Sequence, residues 1–567
     1  MFISGIVKLR ETWKLWVAAG LSAALLELVF PFLGPMPPWR ASFAWFALVP
    51  LLCALLSRFN MERPKVLQRS FLLAWFCGVL WYVGNCTWIY DTMLIHGGLP
   101  APVSALLMLG FSLVLALYFG FFGLGLVLVQ RAFGNTRLTL AAAPFLWVAL
   151  DMAASRITCV PWDQLGYSQV DNALVNQIAP WTGVYGISFV VLVVNVLIVG
   201  GLLLDRRSGR FAWGVSGAVL LMGCGLGVTV APPRPVATET AVLVQPNLDV
   251  AADNSWSAPG EWDQHMAEYA RLSADQCKTY IAGIPETGAS NGEIICPPSV
   301  THPALIVWPE SPAQFYESDL RYRHFLEAIA RAEQAPMIVG NYGIDFLPRE
   351  GDVRDYNSAL ILGADGQRVG RYDKIHLVPF GEYIPYKNLL FFARKLTGRV
   401  SEFTRGDQRK VFRLGSPQGG AHRYGVFICY ESVFGNEVRE FALLGAEVLV
   451  NISDDGWYGD TSAPWQHLNM ARMRAIENRR WILRDTNNGV TASIDPYGRV
   501  RQSIPRHAVD ALPAGFAFRD DVTFYTAHGD LFGWLCAILA WGAVGWSLRT
   551  LLRRKFVQFT SKSGQKS

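Results

Sequence analysis

The sequence is poor in charge for its length. Only 17% of its 567 residues are Asp, Glu, Lys or Arg, whereas soluble proteins carry roughly 25%. Its nine cysteines are scattered over this long chain, which excludes a small disulfide-stapled module. The net charge of +5 is too small in so long a chain to indicate nucleic-acid binding. Hydrophobic residues make up 51%, which excludes a disordered chain and predicts a membrane protein with a separate water-facing domain.

Eight segments are apolar and long enough for transmembrane helices, since a helix needs about 20 residues to cross the bilayer core. Six are residues 15–34, 41–57, 70–90, 138–155, 211–233 and 531–548, and the uncharged runs 92–130 and 172–204 hold one each. The first lacks a signal-peptide cleavage site, so we expect it to be retained. Glu27 and Asp151 interrupt two segments. We expect them at span ends or helix contacts, because a transport pathway would need more ionisable groups and paired repeats.

Lysine and arginine lie almost entirely on one side of these spans. The loops of that side carry Lys8, Arg10, Lys14, Arg58, Arg63, Lys65, Arg69, Arg131, Arg137, Arg206, Arg207, Arg210, Arg549, Arg553, Arg554 and Lys555. The other side's membrane loops carry only Arg40 and Arg156. The positive-inside rule then puts both termini in the cytoplasm and residues 234–530 outside. We predict seven spans in residues 1–233, a water-facing domain in 234–530, and the eighth span with a basic cytoplasmic tail in 531–567.

Residues 234–530 have the pattern of one α/β domain. β-branched runs recur at residues 240–245, 304–308, 337–340, 358–362, 425–428, 446–452 and 490–494. Between them, residues 319–334 and 465–480 have apolar residues at helical spacing. The charged face of the second helix is expected to be solvated; it carries Arg472, Arg474, Glu477, Arg479 and Arg480. Turn signals at 363–366 and 495–498 predict hairpins. The alternation of strands and helices along the domain predicts sheets covered by helices.

Three predicted strand ends carry reactive side chains. Glu310 follows Ala304–Trp308, Lys374 lies in a loop rich in polar and turn residues, and Cys429 ends the strand Gly425–Ile428. Each feature alone is weak, because a buried cysteine is usually structural and a lone lysine usually lies on the surface. The three together, in the order Glu, Lys, Cys, favour a catalytic triad.

That order resembles the nitrilase (carbon–nitrogen hydrolase) superfamily and, within it, the apolipoprotein N-acyltransferase family. The resemblance rests on the motifs at residues 307–310, 374–385, 428–431, 451–460, 464–467, 472–475 and 486–489, and in the membrane part at 161–169 and 183–189. It implies eight spans with an αββα catalytic domain between the seventh and eighth, in a bacterial inner membrane with that domain in the periplasm. It also implies acyl transfer from a phospholipid, with phosphatidylethanolamine expected, to the N-terminal α-amine of diacylglyceryl-cysteine in lipoproteins. No cofactor or metal is implied, and a monomer is expected.

The resemblance assigns the roles of the triad. Cys429 is the nucleophile, and its thiol needs a base or a cation to become a thiolate. Glu310 is the general base, which takes the thiol proton and later the proton of the incoming ammonium. Lys374 stabilises the thiolate and the tetrahedral oxyanion.

The remaining site residues are supports. Glu382 is expected to align the triad, and Glu431 to hold Lys374 or its loop, unless either is simply a capping or bracing carboxylate. Tyr430 is expected to contact the acyl chain or orient the thioester. His376 and His467 are expected to be structural, because no metal-ligand cluster surrounds them.

Aromatic residues are candidates for substrate or lid contacts. Trp256 is one, although Trp262 competes with it for that role. The loops that carry Phe391 and Phe392, and Trp457–Tyr458, are expected to reach the membrane interface, as aromatic side chains prefer.

Two features depart from the usual pattern of the family, and two pairs of cysteines are candidates for disulfides. Asp454-Asp455 stands where the family usually has Asn-Asp, with Tyr458 for Phe, and the added carboxylate is expected to touch no triad member. Residues 277–303 look like a surface insert. Cys277 could pair with Cys296, and Cys86 with Cys159.

Three alternatives stay open. A membrane-tethered amidase would share the triad but pass the acyl group to water. A binding protein on a degenerate fold is disfavoured because all three triad residues are present. Polyprenyl-linked glycosyl transfer would need an additional domain or motif.

Overall fold

The computed structural model of the chain describes residues 2–32, 34–221, 232–250, 256, 260–274, 278–279, 294–295, 302–310, 313, 315–346, 353–383, 403–417 and 419–563. The N-terminal part is helical. Its helices are α1 (Phe2–Glu27), α2 (Val49–Leu56), α3 (Arg58–Met61), α4 (Val66–Asn85), α5 (Trp88–Asp91), α6 (Ala101–Phe133), α7 (Thr136–Ala153), α8 (Ala179–Thr182), α9 (Val184–Leu203) and α10 (Arg206–Leu221). Short 3-10 and π turns connect several of them.

Six helical stretches within the described residues are long and apolar enough to cross a membrane. They are Pro38–Leu56, Val66–Asn85, Ala101–Phe133, Thr136–Thr158, Val184–Leu203 and Leu531–Arg554. These agree with six of the eight predicted spans. The first predicted span, residues 15–34, corresponds to α1, which is helical but does not meet this criterion. Much of the seventh predicted span, residues 211–233, lies outside the described residues.

Local sequence explains the sharp connection between α6 and α7. Gly134 follows α6 at a φ of 63°, a left-handed conformation that favours glycine at a helix C-terminus. The side chain of Asn135 then accepts hydrogen bonds from the backbone N–H groups of Arg137 and Leu138 and so caps α7. The two long helices therefore run antiparallel.

The C-terminal part is built on two six-stranded sheets. The first has the order β14-β1-β4-β5-β6-β7 and the second β13-β12-β11-β10-β9-β8. The strands are β1 (Glu239–Gln245), β2 (Lys278–Thr279), β3 (Ile294–Ile295), β4 (Leu305–Trp308), β5 (Met337–Phe346), β6 (Val353–Leu362), β7 (Arg368–Asp373), β8 (Val411–Gly415), β9 (Ala421–Ile428), β10 (Val448–Ser453), β11 (Ile482–Thr486), β12 (Ala492–Ile494), β13 (Val500–Ser503) and β14 (Asp510–Phe516). β2 and β3 form a separate two-stranded ribbon.

Helices cover the outer faces of the two sheets. They are α11 (Glu261–Ala274), α12 (Leu320–Glu333), α13 (Gly435–Leu443) and α14 (Ala463–Asn478). Two further helices follow the sheets, α15 (Phe524–His528) and α16 (Leu531–Ser563), and α16 contains the last candidate span. One apolar cluster, including Leu243, Val307 and Val450, fills the space between the sheets. A second lies between the first sheet and α11 and α12, around Trp308 and Tyr269. This confirms the predicted α/β sandwich, and the hairpin turns at 363–366 and 495–498 are also confirmed.

One surface prediction was wrong. The charged residues of α14 are largely buried, and Arg474 and Glu477 are both 0% exposed. Arg474 donates to the Tyr167 hydroxyl at 3.0 Å, and Glu477 accepts from the backbone N–H of Val184 at 3.0 Å. The charges are needed there because α14 packs against the helical part, whose loops present polar groups to it.

The Cys86–Cys159 pair was also wrong, since both thiols are free. Cys86 is fully buried in the helical core, whereas the Cys159 sulfur points to the carbonyl of Arg156, 3.9 Å away. Cys277 and Cys296 lie outside the described residues.

Candidate active site

The ends of three strands, from both sheets, converge on one site. Glu310 lies two residues after β4, and Lys374 directly follows β7, in the first sheet. Cys429 directly follows β9 in the second sheet. The site therefore lies where the two sheets meet at one edge of the sandwich.

Lys374 lies between two carboxylates. Its ammonium donates to Glu310 Oε1 at 3.0 Å and to Glu382 Oε1 at 2.9 Å. The side-chain amide of Asn357, in β6, donates to the same two oxygens at 2.6 Å each. A lysine and an asparagine thus hold the two carboxylates side by side, in a site where all four residues are buried.

Lys374 remains charged in this site. Burial alone would lower the pKa of its ammonium, but Glu310 and Glu382 outweigh it and raise the pKa well above the ordinary value. The ammonium is therefore a fixed positive charge beside Cys429.

Cys429 has an unusual backbone conformation. Its φ is 49°, and it begins the short 3-10 turn Cys429–Val433. Such a conformation costs a non-glycine residue about 1–3 kcal/mol and is common at functional sites. Burial and the negative charge of Glu310 raise the pKa of the thiol well above its usual range, while Lys374 opposes them. The resting form is the thiol, so attack requires that its proton pass to a base.

Glu431 anchors the lysine loop to the cysteine turn. Its Oε1 accepts from the Tyr372 hydroxyl at 2.8 Å and from the backbone N–H groups of Ile375 and His376 at 2.7 and 3.2 Å. Its Oε2 accepts from the N–H of Ile428 at 2.7 Å. Glu431 therefore holds the loop rather than the Lys374 ammonium, whereas Glu382 contacts that ammonium directly and also accepts from the N–H of Val378 at 2.8 Å.

A buried polar cluster lies behind the cysteine turn, and sequence analysis missed most of it. Asp455 forms an ion pair with Arg484 at 2.7 Å and a hydrogen bond with His467 Nδ1 at 2.9 Å. The other ring nitrogen of His467 lies 2.6 Å from the Ser432 hydroxyl and 3.1 Å from the carbonyl oxygen of Cys429. His467 thus supports the turn, in keeping with the structural role expected of it.

The Asp454 carboxylate bonds to no triad member among the described residues, as expected, and accepts instead from Gly456 and Asn487. The backbone N–H of Asp454 does contact the triad, because it donates to Glu310 Oε2 at 2.9 Å. The reason is that Asp454 directly follows β10, and this strand end adjoins the site.

The aromatic candidates have different surroundings. The Tyr430 hydroxyl donates to the carbonyl of Cys159 at 2.7 Å, at the end of a membrane helix. Trp256 is buried and stacks on His265, with ring centroids 4.2 Å apart. Trp457 is exposed and its carbonyl accepts from Thr92. Phe391 and Phe392 lie outside the described residues.

Tyr458 packs inside the protein. It is buried between Trp88, 5.2 Å away between ring centroids, and Trp162 at 5.8 Å.

The site contains no candidate metal centre: among the described residues, no group of three or more His, Cys, Asp or Glu could hold a metal ion.

The α/β part, with its cysteine at a strand end, matches a class of protein. Residues 240–508 match the sequence model of the carbon–nitrogen hydrolases.

The membrane part narrows the class. Residues 11–197 match the model of the apolipoprotein N-acyltransferase N-terminal domain. An apolipoprotein N-acyltransferase of Geobacter metallireducens is 33% identical over 531 residues, which cover 92% of this chain and 93% of that protein. Proteins of the same name from Chlorobaculum tepidum and Vibrio cholerae are 28% and 29% identical, covering 92% of this chain and 94% and 97% of theirs. The chain belongs to the apolipoprotein N-acyltransferase family.

Proposed function

We propose that this chain is an apolipoprotein N-acyltransferase that moves a fatty acyl group from a phospholipid to the N-terminal α-amine of diacylglyceryl-cysteine in lipoproteins. One observation carries the proposal. A buried thiol at a strained strand end lies in a site where a lysine is held between two carboxylates. This arrangement belongs to a chain that matches the family from its membrane helices to its last sheet.

The first half-reaction loads the enzyme. Glu310 takes the proton of the Cys429 thiol, and the sulfur attacks the ester carbonyl of the phospholipid. The C–O bond breaks, the proton returns to the departing oxygen, and a thioester and a lysophospholipid result. Lys374 stabilises the oxyanion of the tetrahedral intermediate, a contribution of about 3–4 kcal/mol for one well-placed donor.

The second half-reaction unloads the enzyme. The acceptor's terminal ammonium, with an ordinary pKa near 8, gives one proton to Glu310 so that the amine can attack the thioester. The amide forms, the C–S bond breaks, and the thiol is restored. An ester and an ammonium have then become an alcohol and an amide, so each turnover releases one proton.

The proposal includes eight spans and a periplasmic catalytic domain at residues 234–530, between spans in 1–233 and 531–567. The six candidate spans and the charge asymmetry of the loops support it. Both termini are then cytoplasmic, in a bacterial inner membrane. Because the donor's acyl chains lie in the bilayer, this topology brings the cysteine to the outer leaflet without extracting the lipid.

The proposal also covers the donor, the acceptors, the oligomeric state and the residues that contact substrate. Phosphatidylethanolamine is the expected donor, diacylglyceryl-modified apolipoproteins are the acceptors, and the enzyme is a monomer without a cofactor. Trp256, Trp457, Phe391 and Phe392 are proposed as substrate or lid contacts.

The test is the intact mass of the purified protein after incubation with phosphatidylethanolamine. The native chain and Cys159→Ala, which removes another thiol near the site, should each gain one hydroxylamine-sensitive acyl group. Cys429→Ala should gain none. A diacylated lipopeptide should discharge the adduct and become triacylated.

Two results would contradict the proposal. An adduct discharged equally fast by water would indicate an amidase-type hydrolase. No adduct, with phospholipid present and the thiol free, would contradict the nucleophile assignment.

A further inference from the structure

Residues 403–406 run along the loop that carries Lys374. The N–H of Gly406 donates to the carbonyl of Lys374 at 2.9 Å. A Cβ atom at Gly406 would collide with the carbonyl oxygen of Asp373, so this close approach requires glycine. Arg405, the preceding residue, is therefore fixed beside the lysine loop by its backbone, while its side chain is exposed to solvent.

Arg405 also lies close to the end of a membrane helix. The candidate span Thr136–Thr158 ends one residue before Cys159, whose carbonyl accepts from the hydroxyl of Tyr430, the residue that follows the nucleophile. Burial and Glu437 raise the pKa of the Cys159 thiol, and the positive charge of Arg405 is near enough to oppose them. In the proposed topology this is the level at which the headgroups of the outer leaflet lie.

The arginines at the outer ends of the helices already have partners. The outer loops of the helical part carry only Arg40 and Arg156. Arg40 donates to backbone carbonyls just after α1, and Arg156 is paired with Asp530. The side chain of Arg405, by contrast, forms no hydrogen bond or ion pair with any residue that the structure describes. Its guanidinium group is therefore available to an anion.

The active site needs such a cation to accept an anionic lipid. Glu310 and Glu382 share the single ammonium of Lys374, which leaves one net negative charge when both carboxylates are ionised. The phosphodiester of a glycerophospholipid is negative as well, and it lies only a few bonds from the ester that the cysteine attacks. A nearby guanidinium group offsets this repulsion, and its planar fork binds two phosphate oxygens at once.

We propose that Arg405 binds the phosphodiester of the donor phospholipid and so positions the donor's ester carbonyl at Cys429. The inference rests on the proposed function. Its ligand is the phosphate that joins glycerol to the headgroup, which all glycerophospholipids share. Arg405 therefore favours a phospholipid over a diacylglycerol as donor and does not distinguish one headgroup from another.

The test compares Arg405→Gln with the native chain in the acylation of Cys429, followed by intact mass in mixed micelles. With phosphatidylethanolamine, Arg405→Gln should raise the donor concentration for half-maximal rate by about tenfold to a hundredfold, as expected for the loss of a charge-assisted hydrogen bond. Phosphatidylglycerol should show the same loss. With diacylglycerol, which has the same esters but no phosphate, the two proteins should react alike.

Two variants serve as controls. Arg405→Lys keeps the charge but loses the planar fork, so its half-maximal concentration should lie between those of the native chain and Arg405→Gln. Arg413→Gln removes another exposed arginine, in β8, which faces the start of β9 whereas Cys429 follows its end. It should change neither donor's kinetics. An equal loss with phospholipid and diacylglycerol in Arg405→Gln, or no loss with phospholipid, would overturn the inference.

A second readout does not depend on acyl transfer. In a Cys429→Ala background, native mass spectrometry should show that the protein retains phosphatidylethanolamine in preference to diacylglycerol, and Arg405→Gln should abolish the preference. A failure of every donor to acylate Cys429 in the native chain would contradict the proposed function, while lipid retention would still decide whether Arg405 binds the phosphate. Equal retention of phosphatidylethanolamine with and without Arg405→Gln would overturn the inference.

Discussion

Asn357 joins the two carboxylates beside Lys374, because its amide donates to an oxygen of each. Removing it with Asn357→Ala leaves those oxygens with the lysine alone. Each hydrogen bond to a charged group is worth about 1.5–3 kcal/mol, so we expect the rate of Cys429 acylation to fall by about tenfold to a hundredfold. Intact-mass kinetics with phospholipid measures it.

Asn357→Asp should be worse at neutral pH, since it places a third carboxylate against Glu310 and Glu382. Part of the rate should return at lower pH, where the new acid is protonated and donates again. The control is Asn341→Ala, a buried asparagine of the neighbouring strand β5 that contacts neither carboxylate. Equal losses in the two alanine variants would contradict the role of Asn357.

Part of the site could be predicted at this scale. The strand-end positions of Glu310, Lys374 and Cys429 follow from local patterns, and the structure brings the first two into contact. Asn357 could not be found, because it lies within a strand and only the sheet register shows which groups it faces. The one signal was a carboxamide close to the apolar buried run at residues 359–362, since a buried carboxamide needs partners.

The turn that carries Cys429 is supported by the buried cluster of Asp455, Arg484 and His467. Burial would raise the pKa of Asp455, but Arg484 and His467 outweigh it and hold the pKa well below the ordinary value. Asp455→Asn leaves Arg484 as an unpaired buried charge, for which we expect a loss of about 3–5 kcal/mol in the free energy of unfolding. Denaturant unfolding in detergent micelles measures it.

Glu327→Gln is the control, because Glu327 pairs with Arg331 on the surface of α12 and should contribute at most about 1 kcal/mol. The sign with pH follows from the lowered pKa. The stability from Asp455 is present above the unfolded value, about 3.9, and is lost as pH falls through the folded pKa. The difference in the free energy of unfolding between the native protein and Asp455→Asn should therefore become smaller below about pH 4. A difference that does not change with pH would contradict an ionised Asp455–Arg484 pair.

The elements themselves were predicted unevenly. Helix α12 was predicted within one residue at each end from the helical spacing of its apolar residues, and the structure shows that Asp319 caps it by accepting from the N–H of Arg321. Strands β8, β11 and β14 were missed, and β7 and β13 were indicated only by their hairpin turns. In β8 exposed residues alternate with buried ones, whereas charged residues in β11, and Pro513 and Gly515 in β14, interrupt the apolar pattern of two largely buried strands. The face of α14 was wrong because amphipathicity cannot tell solvent from a polar protein surface.

At the scale of the whole molecule, the α/β part is attached to the helices by an apolar contact that contains polar bonds. Tyr458, Met470 and Met473 belong to the same core cluster as the membrane helices. Within it, the amide of Gln466 donates to Asn85 Oδ1 at 3.1 Å and accepts from the Trp162 indole at 2.7 Å. Its amide nitrogen also lies 3.2 Å from the carbonyl oxygen of Pro31, so this one residue of α14 links the α/β part to three segments of the helical part.

Gln466 therefore tests whether this attachment governs access to lipid in the bilayer. Gln466→Ala should lower Cys429 acylation from phospholipid vesicles by about tenfold, since it removes buried hydrogen bonds worth about 0.5–1.5 kcal/mol each. A water-soluble short-chain ester should react as before, because it does not need the membrane path. Gln502→Ala is the control: it also loses two hydrogen bonds, which are partly buried and join β13 to Pro513 and Gly515 of β14. It should not change the ratio of the two rates. If Gln466→Ala slowed both donors equally, the attachment would serve the stability of the site and not its access to the bilayer.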